Sequence, residues 1–223
     1  MFNNGRMGKS EVTRQAITAI ALRSFAERGY DATTIRLIAS EAGISVGNAY
    51  YYFPTKNHMV QELYVRVQST HRELAETRMT GVTDLAKRLE IVLLAGLESL
   101  EPYHDTAPGF LAAAISPASP VNPLSPESGA ARDIVVGLFA ELVAGSTTAV
   151  PAFLRERLPE LLWLAYLGLA LFWVYDASPG QAKSRRLVAR GTALFGTLLP
   201  LARLPFLRGP LTEALDIIAE ARA

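Results

Sequence analysis

The sequence predicts an all-α fold, on three observations. Apolar residues recur at intervals of three and four, the spacing of one helix face, along almost the whole chain. No stretch alternates apolar and polar residues long enough for a half-buried strand. Glycine, proline and short hydroxyl or acidic residues fall between the periodic segments, where helix ends need them. Half of the 223 residues are hydrophobic and 19% are charged, enough for a buried core and unlike a disordered chain.

The elements follow in order. Ile17, Ile20, Ala21 and Phe25 share one face of a first helix, and Gly29 stands just past its end. Ile35, Ile38, Ala39 and Ala42 repeat the pattern before Gly43, with Thr33 or Thr34 as the N-cap. Ser45 caps a short third helix that runs through Phe53 and stops at Pro54. Thr55 caps a long fourth helix carrying Met59, Val60, Leu63, Tyr64 and Val67 to about Met79. A further amphipathic helix spans Leu85 to Leu100, and Gly109 to Ile115 is a short apolar piece. Ser116 to Ser128 holds Pro117, Pro120, Pro123 and Pro126, a density that predicts a loop. Arg132 to Ala144 is helical again. Two long segments, Pro151–Ala177 and Gly180–Leu204, meet at Ser178-Pro179-Gly180, and a terminal helix spans Leu211 to Arg222.

Composition removes whole classes of chemistry. There is no cysteine, so disulfides, thiolate metal sites and cysteine nucleophiles are excluded. His58, His71 and His104 are too far apart in sequence to suggest a metal pair, and no cofactor is expected. Gly43-Ile44-Ser45-Val46-Gly47 fits the pattern of a serine-hydrolase elbow, but that motif needs a strand before it, and these flanks are helical. No catalytic residue and no enzyme activity are expected. Residues 1–9 are polar, without the apolar stretch of a signal peptide. The longest uncharged apolar run, Leu161 to Tyr175, is fifteen residues, short of the roughly 20 that cross a membrane. A cytoplasmic protein is the resulting expectation.

Charge is uneven. Residues 1–60 carry Arg6, Lys9, Arg14, Arg23, Arg28, Arg36 and Lys56 against Glu11, Glu27, Asp31 and Glu41, a net +3, while the whole chain is +1. A basic front on a near-neutral body suits nucleic-acid binding. The segment 34–53 shows how. Two short helices flank Gly43-Ile44-Ser45, where glycine permits a sharp turn and Ile44 plugs the angle between them. That is a helix-turn-helix, whose second helix enters the DNA major groove. In that helix Gly47 costs about 1 kcal/mol relative to alanine, which makes sense if a large object approaches the backbone there. The helix start, with its free N–H groups, favours phosphate. Val46 offers a surface for a thymine methyl, and Asn48 matches an adenine edge. Tyr50 and Phe53, at i and i+3, are expected on the core side, and Tyr51 outward, donating to phosphate.

The run from Ala32 to Ala39, then Ala42-Gly43-Ile44-Ser45, then Gly47-Asn48-Ala49-Tyr50-Tyr51-Tyr52-Phe53-Pro54-Thr55-Lys56, resembles the DNA-binding domain of the TetR family of transcriptional regulators. Arg14 to Tyr30 fits as well, and the likeness covers about residues 11–71. The resemblance implies an N-terminal three-helix DNA-binding domain, residues 1–54, followed by a larger helical ligand-binding and dimerisation domain, 55–223. It implies a homodimer on double-stranded operator DNA, a repressor released by a small molecule. By resemblance Thr34, Tyr51 and Lys56 touch phosphates, Arg36 touches phosphate or base, and Ser45, Val46, Gly47, Asn48 and Tyr50 lie on the recognition helix. Val46 and His58 depart from the family's usual residues, and the C-terminal part matches in architecture only. The alternative is a helical ligand-binding or scaffold protein of the same fold that no longer reads DNA.

The body adds a dimer expectation. Leu161 to Phe172 is apolar on every side, and Ala165 and Gly168 allow close helix approach. Leu187, Leu194, Leu198 and Leu201 make a stripe on the next segment. Segments 151–177 and 180–204 are therefore expected to form a four-helix interface with a second copy. Tyr103, His104, Phe110, Phe139, Trp163 and Tyr166 are the ligand-pocket candidates, pointing to an apolar or aromatic effector.

Overall fold

The computed structural model describes residues 9–220. The leaderless reading of the first eight residues, and the end of the terminal helix at Arg222, lie outside them. Eleven α-helices are formed among the described residues, and no strand. They are α1 (Lys9–Arg28), α2 (Ile35–Glu41), α3 (Val46–Tyr52), α4 (Lys56–Met79), α5 (Leu85–Leu100), α6 (Ala107–Ile115), α7 (Gly129–Ala144), α8 (Ala152–Arg155), α9 (Leu158–Val174), α10 (Ala182–Leu198) and α11 (Pro205–Glu220). No single helix among the described residues is long and apolar enough to cross a membrane.

Helix ends follow local chemistry. Thr34, rather than Thr33, caps α2: its hydroxyl accepts from the Leu37 N–H at 3.2 Å. Thr33 is buried and donates to the Gly29 carbonyl at 2.9 Å. Thr55 accepts from the His58 N–H at 3.3 Å and so caps α4. Gly43 has φ +65°, a left-handed conformation that a side chain would strain. Two boundaries differ from the sequence expectation. Pro151–Ala177 is broken into α8 and α9, because Pro159 supplies no N–H and restarts the helix around itself. The last helix starts at Pro205 rather than Leu211, accepting Pro210 in its second turn at the loss of one intrahelical hydrogen bond.

The chain packs as two compact units. The first runs up to Val67 and takes in Pro102–Arg132; the second holds Gln68–Glu101 and everything from Asp133 onward. The packing therefore draws its units differently from a cut at residue 54.

In the first unit, α1, α2, α3 and the start of α4 close over Ile17, Phe25, Ile38, Ala49, Phe53 and Met59. Burying one large apolar side chain of this kind contributes about 1.5–3 kcal/mol. Ile44 packs partly into this core from the turn, as expected. α6 joins α1 through Gly109, where any Cβ would stand 2.5 Å from the Ala26 backbone. The proline-rich stretch is a loop, as expected, but a docked one. Val121 is fully buried, Tyr64 donates to its carbonyl at 2.9 Å, and Gln61 donates to the Pro120 carbonyl at 2.8 Å.

The second unit packs α4 residues Ala75 and Met79 with α5, α7 and α9 around Val92, Leu138, Phe139, Leu142, Trp163 and Tyr166. Arg88 is buried and gives its guanidinium to the carbonyls of Leu142, Val82 and Glu141 at 2.8, 2.8 and 3.0 Å. Asp176 locks the turn from α9 to α10. Burial opposes its charge, but hydrogen bonds from Ser178 and Ser184 outweigh that and hold its carboxyl well below the usual range.

Within the chain α9 is not buried all round. Leu162, Trp163, Tyr166, Leu169 and Trp173 face inward. Ala165, Gly168, Leu171, Phe172 and Tyr175 are exposed, spaced along one outer stripe. Leu187, Leu194 and Leu198 are exposed on α10, with Leu201 just beyond it.

Candidate nucleic-acid interface

α3 is anchored on one side and open on the other. Ser45 Oγ accepts from the Asn48 N–H at 3.1 Å and starts the helix. Ala49 is fully buried, and Val46 and Tyr52, three residues to either side, pack partly against the same core. The other face presents Gly47, Asn48, Tyr50 and Tyr51 to solvent. Tyr51 is 81% exposed, as its outward assignment expects.

Tyr50 corrects the sequence expectation. It is 52% exposed, not on the core side with Phe53. Phe53 has left the helix, with φ −139° and ψ 105°, so helical spacing does not place the two side chains on one face. Val46 also differs: part of its surface is turned to the core rather than offered to a base. Gly47 meets nothing within 4 Å of where its Cβ would be, so packing within the chain does not require glycine there.

Thr34 and Arg36 are exposed at the start of α2. Lys56 has a task within the fold that the resemblance does not give it. Its ammonium donates to the backbone carbonyls of Tyr30 (2.6 Å), Thr33 (3.2 Å) and Asp31 (3.4 Å), and lies 4.1 Å from the centre of the Tyr30 ring. Burial lowers its pKa, and Asp31 partly offsets this. Lys56 thus closes the turn between α1 and α2. No spacing rule signals this, because the three carbonyls lie more than 20 residues upstream. Lys56→Met is expected to destabilise the fold by about 1–3 kcal/mol. The salt dependence of any DNA binding should stay unchanged, whereas a lost phosphate contact would reduce its slope by about one. Urea denaturation and a salt titration measure the two effects.

The basic front is also partly neutralised. Arg14 pairs with Glu62 at 2.6 Å and lies over the Phe53 ring, and Arg28 pairs with Glu41 at 2.5 Å.

The six pocket candidates are divided between the two units. Tyr103, His104 and Phe110 belong to the first unit, and Phe139, Trp163 and Tyr166 to the second. Phe110 sits among Phe25, Tyr30 and Tyr64, with ring centres 6.1–6.3 Å away. Phe139 and Tyr166 meet at 6.3 Å in the second core, which also holds Trp163. Phe139, Trp163 and Tyr166 are buried, and Tyr103, His104 and Phe110 are partly buried. An open cavity of about 400 Å³ in the first unit is lined by loop residues such as Pro117, Ser119, Asn122 and Glu127, and by none of the six. Among the described residues no group of three histidine or acidic side chains could hold a metal ion.

Residues 88–219, more than half of the chain, match the family of tetracyclin repressor-like C-terminal domains. Residues 17–63, which contain α2 and α3, match the bacterial regulatory proteins of the tetR family. The chain belongs to the TetR family. This is a family of transcriptional regulators, and its likeness here covers both the helix-turn-helix and the helical body. The HTH-type transcriptional repressor KstR2 of Rhodococcus jostii is 43% identical over 102 residues, which is 45% of this chain and 48% of that one. KstR2 of Mycobacterium tuberculosis is 32% identical over 101 residues, 44% of this chain and 48% of that one. The chain spans about half the length of the curated relatives it matches. Among solved structures, the fatty acid degradation regulator FadR from Bacillus halodurans matches over 90% of this chain and 98% of that one, with a TM-score of 0.65 and 18% identity. That likeness shows a fold shared over nine-tenths of the chain.

Proposed function

We propose that this chain is a homodimeric transcriptional repressor that binds operator DNA through α3 and is released by a small, apolar or aromatic ligand in its body. One observation carries the reading. α3 is fixed to the core through Ala49 and capped by Ser45, yet presents Gly47, Asn48, Tyr50 and Tyr51 to solvent. A surface helix with no external partner has no use for a glycine that its own packing does not need, or for two adjacent exposed tyrosines. The repressor names of the KstR2 relatives point the same way.

In this reading residues 1–54 read DNA and 55–223 bind ligand and partner, although 102–132 pack with the first unit. Thr34 and Tyr51 hold phosphates, and Arg36 holds phosphate or a base. Asn48 reads a base edge beside Ser45, Gly47 and Tyr50. The exposed stripes of α9 and α10, in segments 151–177 and 180–204, meet their copies in a four-helix interface. The site of action is the cytoplasm.

α4 is the link. It is unbroken from Lys56 to Met79, with Lys56–Val67 in the first unit and Gln68–Met79 in the second. At 1.5 Å per residue it is about 36 Å long, so a tilt of a few degrees moves its end by ångströms. Ligand that favours the tilted state weakens operator binding by about 1–3 kcal/mol, and operator weakens ligand binding equally.

A fluorescence titration with duplex from upstream of the protein's own gene tests the DNA reading. Wild-type protein is expected to bind it in preference to scrambled duplex. Asn48→Ala relaxes the preference at one base position by roughly 1–3 kcal/mol. Tyr51→Phe weakens all sequences alike. Equal affinity of wild-type protein for both duplexes, or no binding, contradicts the reading and leaves the ligand-binding or scaffold alternative.

A further inference from the structure

The second unit has a buried polar chain that its fold does not explain. His71 on α4 is fully buried, and its Nε2 lies 2.8 Å from the Val92 carbonyl of α5. A carbonyl only accepts, so Nε2 carries the proton and donates. Its Nδ1 lies 3.1 Å from Oε1 of the Gln68 amide. Ser99 Oγ donates to the Gly96 carbonyl at 2.8 Å. Next to these stands Tyr166 Oη, buried, with no hydrogen bond of ordinary length and angle. Gln68 and Ser99 lie near enough to lower its pKa, but burial dominates and pushes it up to about 12. The arrangement depends on Gly96: a Cβ there would stand 2.6 Å from the Tyr166 ring and 3.0 Å from His71.

A buried, unsatisfied hydroxyl costs about 1–3 kcal/mol, so native cores seldom keep one without use. Gln68 and Ser99 are uncharged, burial keeps His71 neutral, and the walls are apolar, with Phe139 against the Tyr166 ring. A charged ligand group would find no counter-charge among them, while a neutral oxygen acceptor would find an unused donor.

We propose that Tyr166 Oη is the polar anchor of the effector site, donating a hydrogen bond to a carbonyl-type oxygen on a neutral, otherwise apolar molecule. This rests on the ligand-responsive reading above. Because Tyr166 is buried, such a molecule reaches it only by parting α9 from α5. That movement disturbs Gln68 and His71, which sit on α4, the helix that begins just after the recognition helix. Taking up the oxygen and shifting α4 are then one event.

The test uses the full chain, without DNA, and two probes of one shape: cyclohexanone and methylenecyclohexane. NMR shift titrations are expected to show the ketone binding wild-type protein roughly tenfold more tightly than the hydrocarbon, the scale of one hydrogen bond. In Tyr166→Phe the ratio falls to about one, and the variant is as heat-stable as wild type or more so, because an unmet hydroxyl is removed. Equal affinities in wild type, no saturable binding of either probe, or a marked loss of stability in Tyr166→Phe overturns the anchor. An operator titration with and without the ketone separates the two proposals. Selective ketone binding with unchanged operator affinity supports the anchor and contradicts induction.

Discussion

Gly168→Arg is expected to give a folded monomer whose affinity for a palindromic duplex falls by roughly 100-fold or more. Gly168 lies on the exposed stripe of α9, and a Cβ built there meets nothing within 4 Å. The protomer therefore has room for the new side chain, and leaving glycine favours the helix. Around it Leu171, Phe172 and Tyr175 are exposed, Tyr175 to 71%, with Leu187, Leu194 and Leu198 on α10. Exposed large apolar side chains repeated along two helices suit an interface. A guanidinium at its centre would be buried without a partner on both sides of a two-fold axis. The monomer keeps one recognition helix and loses the second, and with it the gain from linked half-sites, usually 10²–10⁴. The added positive charge would by itself raise DNA affinity, so a loss cannot be a charge effect. Sedimentation equilibrium and a DNA titration measure both outcomes. A persisting dimer removes segments 151–177 and 180–204 from the interface.

Acid is expected to weaken the fold through His71. Burial holds its pKa down to about 4, against the pull of its hydrogen bond to Val92, from 6.5 in the unfolded chain. Between those values the unfolded chain takes up a proton that the folded chain refuses, so stability falls as pH drops from 6.5 toward 4. Below about 4 both forms are protonated and this contribution levels off. The full loss is roughly 3 kcal/mol, at about 1.4 kcal/mol per pKa unit. His71→Gln keeps a donor for the Val92 carbonyl but has no proton to gain. Its urea midpoint should therefore change much less between pH 7 and pH 5 than that of wild type. Parallel losses in the two proteins would show that His71 does not set the acid sensitivity.

The helix-turn-helix was legible because its signals are local. Gly43 takes a positive φ, Thr34 and Ser45 cap their helices within three residues, and Ala49 follows the helical period. Legibility ended where the backbone changed or the partner was remote. Helical spacing puts Tyr50 inward only if Phe53 is helical, and Phe53 is extended. Lys56 reads as a surface cation until its three carbonyls are brought to it by the fold. Nothing in the apolar character of Phe110 and Val121 says that 102–132 returns to pack with α1 and α4. Tyr166 could be read as buried, but the missing partner of its hydroxyl is a property of three helices together.

Enrichment of duplexes from a random pool by the full-length protein tests DNA reading through α3 most directly. The expected winner is a palindrome whose half-site centres lie about 34–36 Å apart, one helical turn, or a multiple of it, and one of its base positions loses its preference with Asn48→Ala. A pool that stays random through successive rounds, or a winning sequence indifferent to every substitution on the exposed face of α3, would contradict it.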